Sequence, residues 1–127
     1  MRVHAWAIAV LVRTLMLFGY VVVMIGRARS GKTLILERAT PNKVVNKSKE
    51  RWKTGVAPAF AVEELPDGYF SIDEANQFEP SALVRAIAAL AGRSFAISFQ
   101  RYNDLESIGL DRADILGGRR RVVLMLN

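Results

Sequence analysis

The residues best suited to chemistry lie in Gly26-Arg27-Ala28-Arg29-Ser30-Gly31-Lys32-Thr33, which fits G-x-x-x-x-G-K-[ST] at every fixed position. Glycines at both ends let the backbone wrap closely around an anion, so that several N–H groups point inward at phosphate oxygens. A lysine at this position reaches the outer phosphates of a nucleotide, and a hydroxyl beside it is a ligand for Mg²⁺. Two further places carry matching chemistry. Asp73-Glu74 closes a short apolar segment, and Gln100 closes another. An aspartate at the tip of a core strand beside a phosphate loop is placed to serve Mg²⁺, and a glutamate next to it can polarise an attacking water. A glutamine at a neighbouring strand tip lies within reach of a terminal phosphate.

These residues need elements to position them. The apolar run 20–25 reads as a buried strand entering the loop, and 32–39 as a short helix whose positive dipole end meets the same phosphates. Thr40-Pro41 stops that helix. Residues 41–53 are polar and basic (Lys43, Lys47, Lys49, Arg51, Lys53) with Trp52 among them, and read as an exposed excursion. Residues 56–65 contain Pro58 and make a weak edge strand. Leu65-Pro66-Asp67-Gly68 is a turn, and 69–74 is a strand ending on the two acids. Glu79-Pro80-Ser81 opens a helix whose apolar face is Ala82, Leu83, Ala86, Ile87 and Leu90, with Gly92 to close it. Residues 94–99 alternate Phe95, Ile97 and Phe99 with small residues, as a strand does. Residues 104–116 carry one or two helical turns around Gly109, Gly117-Gly118 turns the chain, and 122–126 reads as a buried last strand.

Composition bounds the alternatives. The chain of 127 residues is one domain's length, with 51% hydrophobic and 24% charged residues, the balance of a folded globular protein. With no cysteine and one histidine, His4, neither a disulfide framework, a thiolate site nor a histidine-cluster metal centre can form within one chain. A net charge of +6 favours polyanionic partners. Residues 43–53 and 119–121 are the candidate DNA contacts, with Trp52 able to stack on a base. The three arginines 119–121 have two other roles open to them: solvent, or a nucleotide held by a second copy in a homo-oligomer.

Residues 1–18 are apolar apart from Arg2, His4, Arg13 and Thr14. Arg13 divides them, and neither half reaches the ~18 uninterrupted residues of a spanning helix. Three readings are open: a helix or strand packed on the domain, a membrane contact through residues 3–18, and a start-site artefact with Met16 as the true beginning. Nucleotide chemistry implies a cytoplasmic protein, with that segment as its inner-membrane contact under the second reading.

The order of these parts resembles the P-loop NTPases, and among them the additional-strand, catalytic-glutamate division. The matching residues are Gly26 to Thr33, Tyr69 to Glu74, and Gln100. The nearest likeness is to compact motor ATPases of conjugation, phage packaging and filamentous-phage export. The resemblance implies a three-layer α/β fold for residues 19–127, with a mainly parallel central sheet and the nucleotide at its carboxyl end. It further implies ATP and Mg²⁺ as ligands. The loop (Gly26, Arg27, Ala28, Arg29, Ser30, Gly31, Lys32, Thr33) would hold phosphate, and Thr33 and Asp73 the metal. Glu74 would be the base and Gln100 the sensor of the terminal phosphate. Three features depart from the family's pattern. Ser71 interrupts the apolar run before Asp73, only 40 residues separate Thr33 from Asp73, and the chain stops at Asn127 without the further strands of larger motors, implying a minimal or truncated form. An ATPase of a mobile-DNA process is the first expectation. A small-molecule kinase with 41–53 as its lid, and a non-catalytic basic nucleotide- or nucleic-acid-binding protein, are the alternatives.

Overall fold

The computed structural model describes residues 2–27, 31–46, 52–55, 65–90, 93–108 and 120–126. Its elements run α1 (Arg2–Leu17), β1 (Val21–Ile25), α2 (Lys32–Ala39), β2 (Val44–Val45), β3 (Phe70–Ile72), a single 3₁₀ turn (Ala75–Gln77), α3 (Pro80–Ala89), β4 (Phe95–Phe99), α4 (Tyr102–Ser107) and β5 (Arg121–Met125). The five strands form one sheet in the order β2-β3-β4-β1-β5, and every pairing is parallel. β4 therefore lies between the loop strand β1 and the acid-tipped strand β3.

Strand side chains alternate between faces, so each strand feeds two cores. On one face Val21, Val23, Ile25, Phe70, Ile72, Phe95, Ile97 and Phe99 pack with Leu83 and Ile87 of α3 and Leu105 of α4. Phe70 and Phe95, directly paired across β3 and β4, stack with centroids 5.6 Å apart. On the other face Val22, Met24 and Ala96 meet Ile35, Leu36 and Ala39 of α2 and Ala5, Ala9, Val12 and Met16 of α1. Helices thus cover both faces of a parallel sheet, an α/β sandwich of three layers.

The sequence expectations meet the structure unevenly. α2 occupies the expected span, and Val44-Val45, expected inside an exposed excursion, instead make a strand. β2 forms because β3 supplies partners: the Ser71 amide donates to the Lys43 carbonyl and the Asp73 amide to the Val45 carbonyl, each at 2.9 Å. The last strand, expected to be buried, stands at the sheet edge beside β1 alone, half-buried and with Met125 62% exposed. A helix begins at Tyr102, ahead of the expected Asp104. Residues 47–51, 56–64, Gly92 and 109–119 lie outside the described residues, and with them the expected edge strand, the α3 stop and the Gly117-Gly118 turn. Ser71, the apparent interruption in β3, is fully buried and shares a 2.7 Å hydrogen bond with the Thr40 hydroxyl, which also lies 3.0 Å from the Leu36 carbonyl it donates to. α1 packs as a helix along one flank, and among the described residues no helix is long and apolar enough to cross a membrane.

α3 begins on Glu79, whose carboxylate accepts from the Ala82 amide at 2.8 Å, the Ser81 amide at 3.2 Å and the Ser81 hydroxyl at 2.6 Å. These donors, the Ser81 hydroxyl foremost, hold the Glu79 carboxyl below its ordinary 4.5. A depressed folded value means the unfolded chain binds the proton first. The cap's contribution is therefore present above 4.5 and lost as pH falls through the folded value. Glu79→Gln is expected to flatten this part of the acid limb, so the gap in melting temperature between wild type and variant should narrow from pH 7 to pH 3. A constant gap would show that the carboxylate charge is not what caps α3.

Candidate functional site

β1, β3 and β4 end together, and the chemistry predicted from sequence collects there. The Gly26 amide donates to the Phe99 carbonyl at 3.1 Å, which sets the start of the loop against the tip of β4. Gln100 follows Phe99 directly and is half-buried, so it stands beside the loop's first glycine. Gly31 has φ of +91°, the left-handed region that a side chain disfavours, and leads straight into α2. Arg27 is exposed, and Ala28, Arg29 and Ser30 lie outside the described residues.

Lys32 is only 5% exposed. Its ammonium donates to the Gly26 carbonyl and, at 2.9 Å, to the Arg27 carbonyl. Burial pushes its pKa below the ordinary 10.5, while the negative charges of Asp73 and Glu74 pull the other way. A cation in this condition has lost water, its hydrogen bonds are to neutral carbonyls, and the two carboxylates offset only part of the loss. An anion brought to the loop would restore what burial took.

Asp73 is fully buried at the tip of β3. One carboxylate oxygen accepts from the Thr33 hydroxyl at 2.7 Å and the Asn46 amide at 3.0 Å. The other accepts from the Ser98 hydroxyl at 2.7 Å and the Glu74 backbone amide at 3.0 Å. Glu74 sits in a left-handed conformation (φ 49°, ψ 53°), unusual for a residue with a side chain, and its amide also donates to the Ser98 oxygen at 2.9 Å. The strain is local and is held by that hydroxyl from the neighbouring strand.

No family model matches the chain, and no curated protein matches it.

Lys32, Thr33, Asp73 and Glu74 converge as the sequence predicts, and Gln100 reaches the same end of the sheet. Asn46 and Ser98 are additions. Asn46 is the polar residue that ends the unrecognised β2. Ser98 belongs to the face of β4 that meets Asp73, because Ile72 pairs with Ile97 and the next residue of each strand is therefore adjacent. Of the basic segments, Lys47, Lys49 and Arg51 lie outside the described residues. Arg120 and Arg121 lie at the amino end of β5, opposite the loop, and Arg119 is not among the described residues. Lys43 donates to the Asp67 carbonyl at 2.8 Å, and Trp52 is 89% exposed.

Among the described residues no group of three or more His, Cys, Asp or Glu side chains could hold a metal ion unaided. Mg²⁺ bound together with nucleotide phosphates needs few protein ligands, and hard oxygen donors suit it. The Thr33 hydroxyl and the Asp73 carboxylate are such donors, already within one hydrogen bond of each other.

Proposed function

We propose that the chain binds Mg-ATP at the carboxyl end of its sheet and hydrolyses it. The observation that carries this reading is the 2.7 Å contact between the Thr33 hydroxyl and the Asp73 carboxylate, two metal-ligand types separated by 40 residues in sequence. The strand β4, inserted between the loop strand and the acidic strand, agrees with the additional-strand division that the sequence resembles. In this reading the Gly26 to Thr33 backbone and Lys32 bind the phosphates and stabilise charge developing on them, an electrostatic effect that is strong in a desolvated site. Thr33 and Asp73 would hold Mg²⁺, which would supply charge neutralisation for the phosphates. Glu74 orients a water and accepts its proton, and Gln100 contacts the terminal phosphate. Service in conjugation, packaging or export of mobile DNA is the finer form of the proposal, supported by the terse Asp-Glu strand and the glutamine-tipped strand.

The test is Mg²⁺-dependent phosphate release by wild type and Glu74→Gln. General-base loss is worth ~10²–10⁴-fold, so the variant should bind Mg-ATP as tightly as wild type and release phosphate slower by about that factor. Equal release by both proteins would remove hydrolysis from the proposal and leave nucleotide binding alone.

A further inference from the structure

Helix α1 is apolar on both sides, and only one side is used by the fold. Ala5, Ala9, Val12 and Met16 face the core. The other side presents Trp6 (59% exposed), Val10 (47%), Leu17 (59%) and, just past the helix, Phe18 (76%). Thr14, the polar residue among them, directs its hydroxyl to the Val10 carbonyl of its own helix at 2.8 Å. A helix that is apolar all round is ordinarily covered all round, and a contiguous exposed patch of this kind marks a contact surface.

The charge around the patch identifies what would cover it. The first 36 residues contain no acid, and the charged side chains lining this flank are Arg13 of α1 and Arg38 of α2. Alongside the patch, α1 and α2 form an open groove of about 190 Å³ lined by Trp6, Ala9, Val10, Arg13, Thr14 and Arg38. Arg13 is fixed at this groove, donating to the Ala39 carbonyl at 3.1 Å and lying 4.9 Å over the Tyr69 ring. The surface is thus an apolar strip with two aromatic residues and a cationic border. A second copy docked on the same strip would bring Arg13 and Arg38 of both chains together, with Glu37 the one acid on either helix. An anionic bilayer surface complements both parts at once: side chains such as Trp and Phe enter the headgroup boundary, and arginines meet lipid phosphates.

We propose that α1 lies flat on anionic membranes, with Trp6, Val10, Leu17 and Phe18 in the interface and Arg13 and Arg38 on lipid phosphates. A helix of 16 residues is ~24 Å long, enough to lie along a leaflet. Leu17 and Phe18 precede the amino end of β1, whereas Lys32 and Asp73 lie beyond strand carboxyl ends. The proposal does not depend on the nucleotide reading, and its test uses no nucleotide.

The test is co-sedimentation of the full chain with phosphatidylglycerol vesicles and with phosphatidylcholine vesicles, at low and high salt. Trp52→Phe serves as the background, so that Trp6 is the sole tryptophan. Binding to the anionic vesicles, weakened by salt and accompanied by a blue shift of Trp6 emission, is expected. Val10→Glu with Leu17→Glu should lower that binding at least ~10-fold, since two apolar contacts are replaced by charges repelled by the lipid. Val10→Ser with Leu17→Ser should lower it less, and circular dichroism should show both variants folded. Equal binding to both vesicle types overturns the proposal, as does anionic binding with no change in Trp6 emission. A dimer in light scattering that the double glutamate variant dissociates, without vesicle binding, overturns it in favour of a second copy.

Discussion

Asp73→Ala is expected to lower stability by about 3 kcal/mol and to abolish Mg²⁺-dependent turnover, whereas Asp73→Asn should lose the turnover and keep most of the stability. The difference follows from which partners can reverse roles. The oxygen that accepts from Ser98 and Glu74 cannot become a donor group, because the Glu74 backbone amide has only a proton to offer. An asparagine would therefore keep its oxygen on that side and turn its NH₂ toward Thr33 and Asn46. Both can adapt: the Thr33 hydroxyl rotates to accept, and the Asn46 amide turns its oxygen inward. The net cost should stay within about 1–2 kcal/mol. Alanine offers no acceptor, and it leaves the Ser98 hydroxyl proton without its acceptor inside the protein and Lys32 without one of its two compensating charges. Urea unfolding and phosphate release on the same samples separate the two effects. Equal stability loss in both variants would show that the carboxylate's charge, and not its acceptor geometry, holds the strand tips together.

Lys32→Met is expected to abolish Mg-ATP binding, by at least ~100-fold, without lowering the stability of the ligand-free protein. The ammonium is desolvated more than it is compensated, so an apolar side chain of similar length removes a charge the fold holds at a cost, and that gain offsets the two carbonyl hydrogen bonds lost with it. The pH dependence carries the sign. A lysine whose folded pKa lies below 10.5 binds fewer protons folded than unfolded between those two values, so stability rises with pH through that window. Below the window the penalty is constant. Wild type should show this rise relative to Lys32→Met, and the two curves should converge toward pH 10.5. With nucleotide at ~100 times its Kd, wild type should gain about 2.7 kcal/mol and the variant nothing. A variant that is less stable without ligand and still gains with it would make Lys32 a structural residue, and the loop would be a turn.

The parts legible in the sequence were those written in contiguous residues. The loop has its fixed spacing, α2 has Thr40-Pro41 to stop it, and Val21–Ile25 and Phe95–Phe99 are apolar runs long enough to stand out. The parts that were not legible depend on pairing. Val44-Val45 is too short to read as a strand inside a basic stretch, and it exists through β3. Ser98 reads as a small residue in an alternating strand until the register of β3 against β4 places it beside Asp73. The run 121–125 cannot tell a central strand from an edge, because its apolarity is the same in either place and only the strand order decides.

Ser71 and Asp73 point to the same face of β3, and the residues that meet them are Thr40, which caps the end of α2, and Thr33 in its first turn, seven positions and about two turns apart. The helix is thereby riveted to the strand at both ends. A slip of β3 by one residue would set Phe70 and Ile72 against these hydroxyls and turn the acid into the opposite core. The hydrophobic contacts of a three-residue strand discriminate poorly against such an error. One hydroxyl–hydroxyl pair and one hydroxyl–carboxylate pair do so by chemistry. Ser71, which looks like a blemish in an apolar run, is thus a proofreading contact for the position of the acid two residues later.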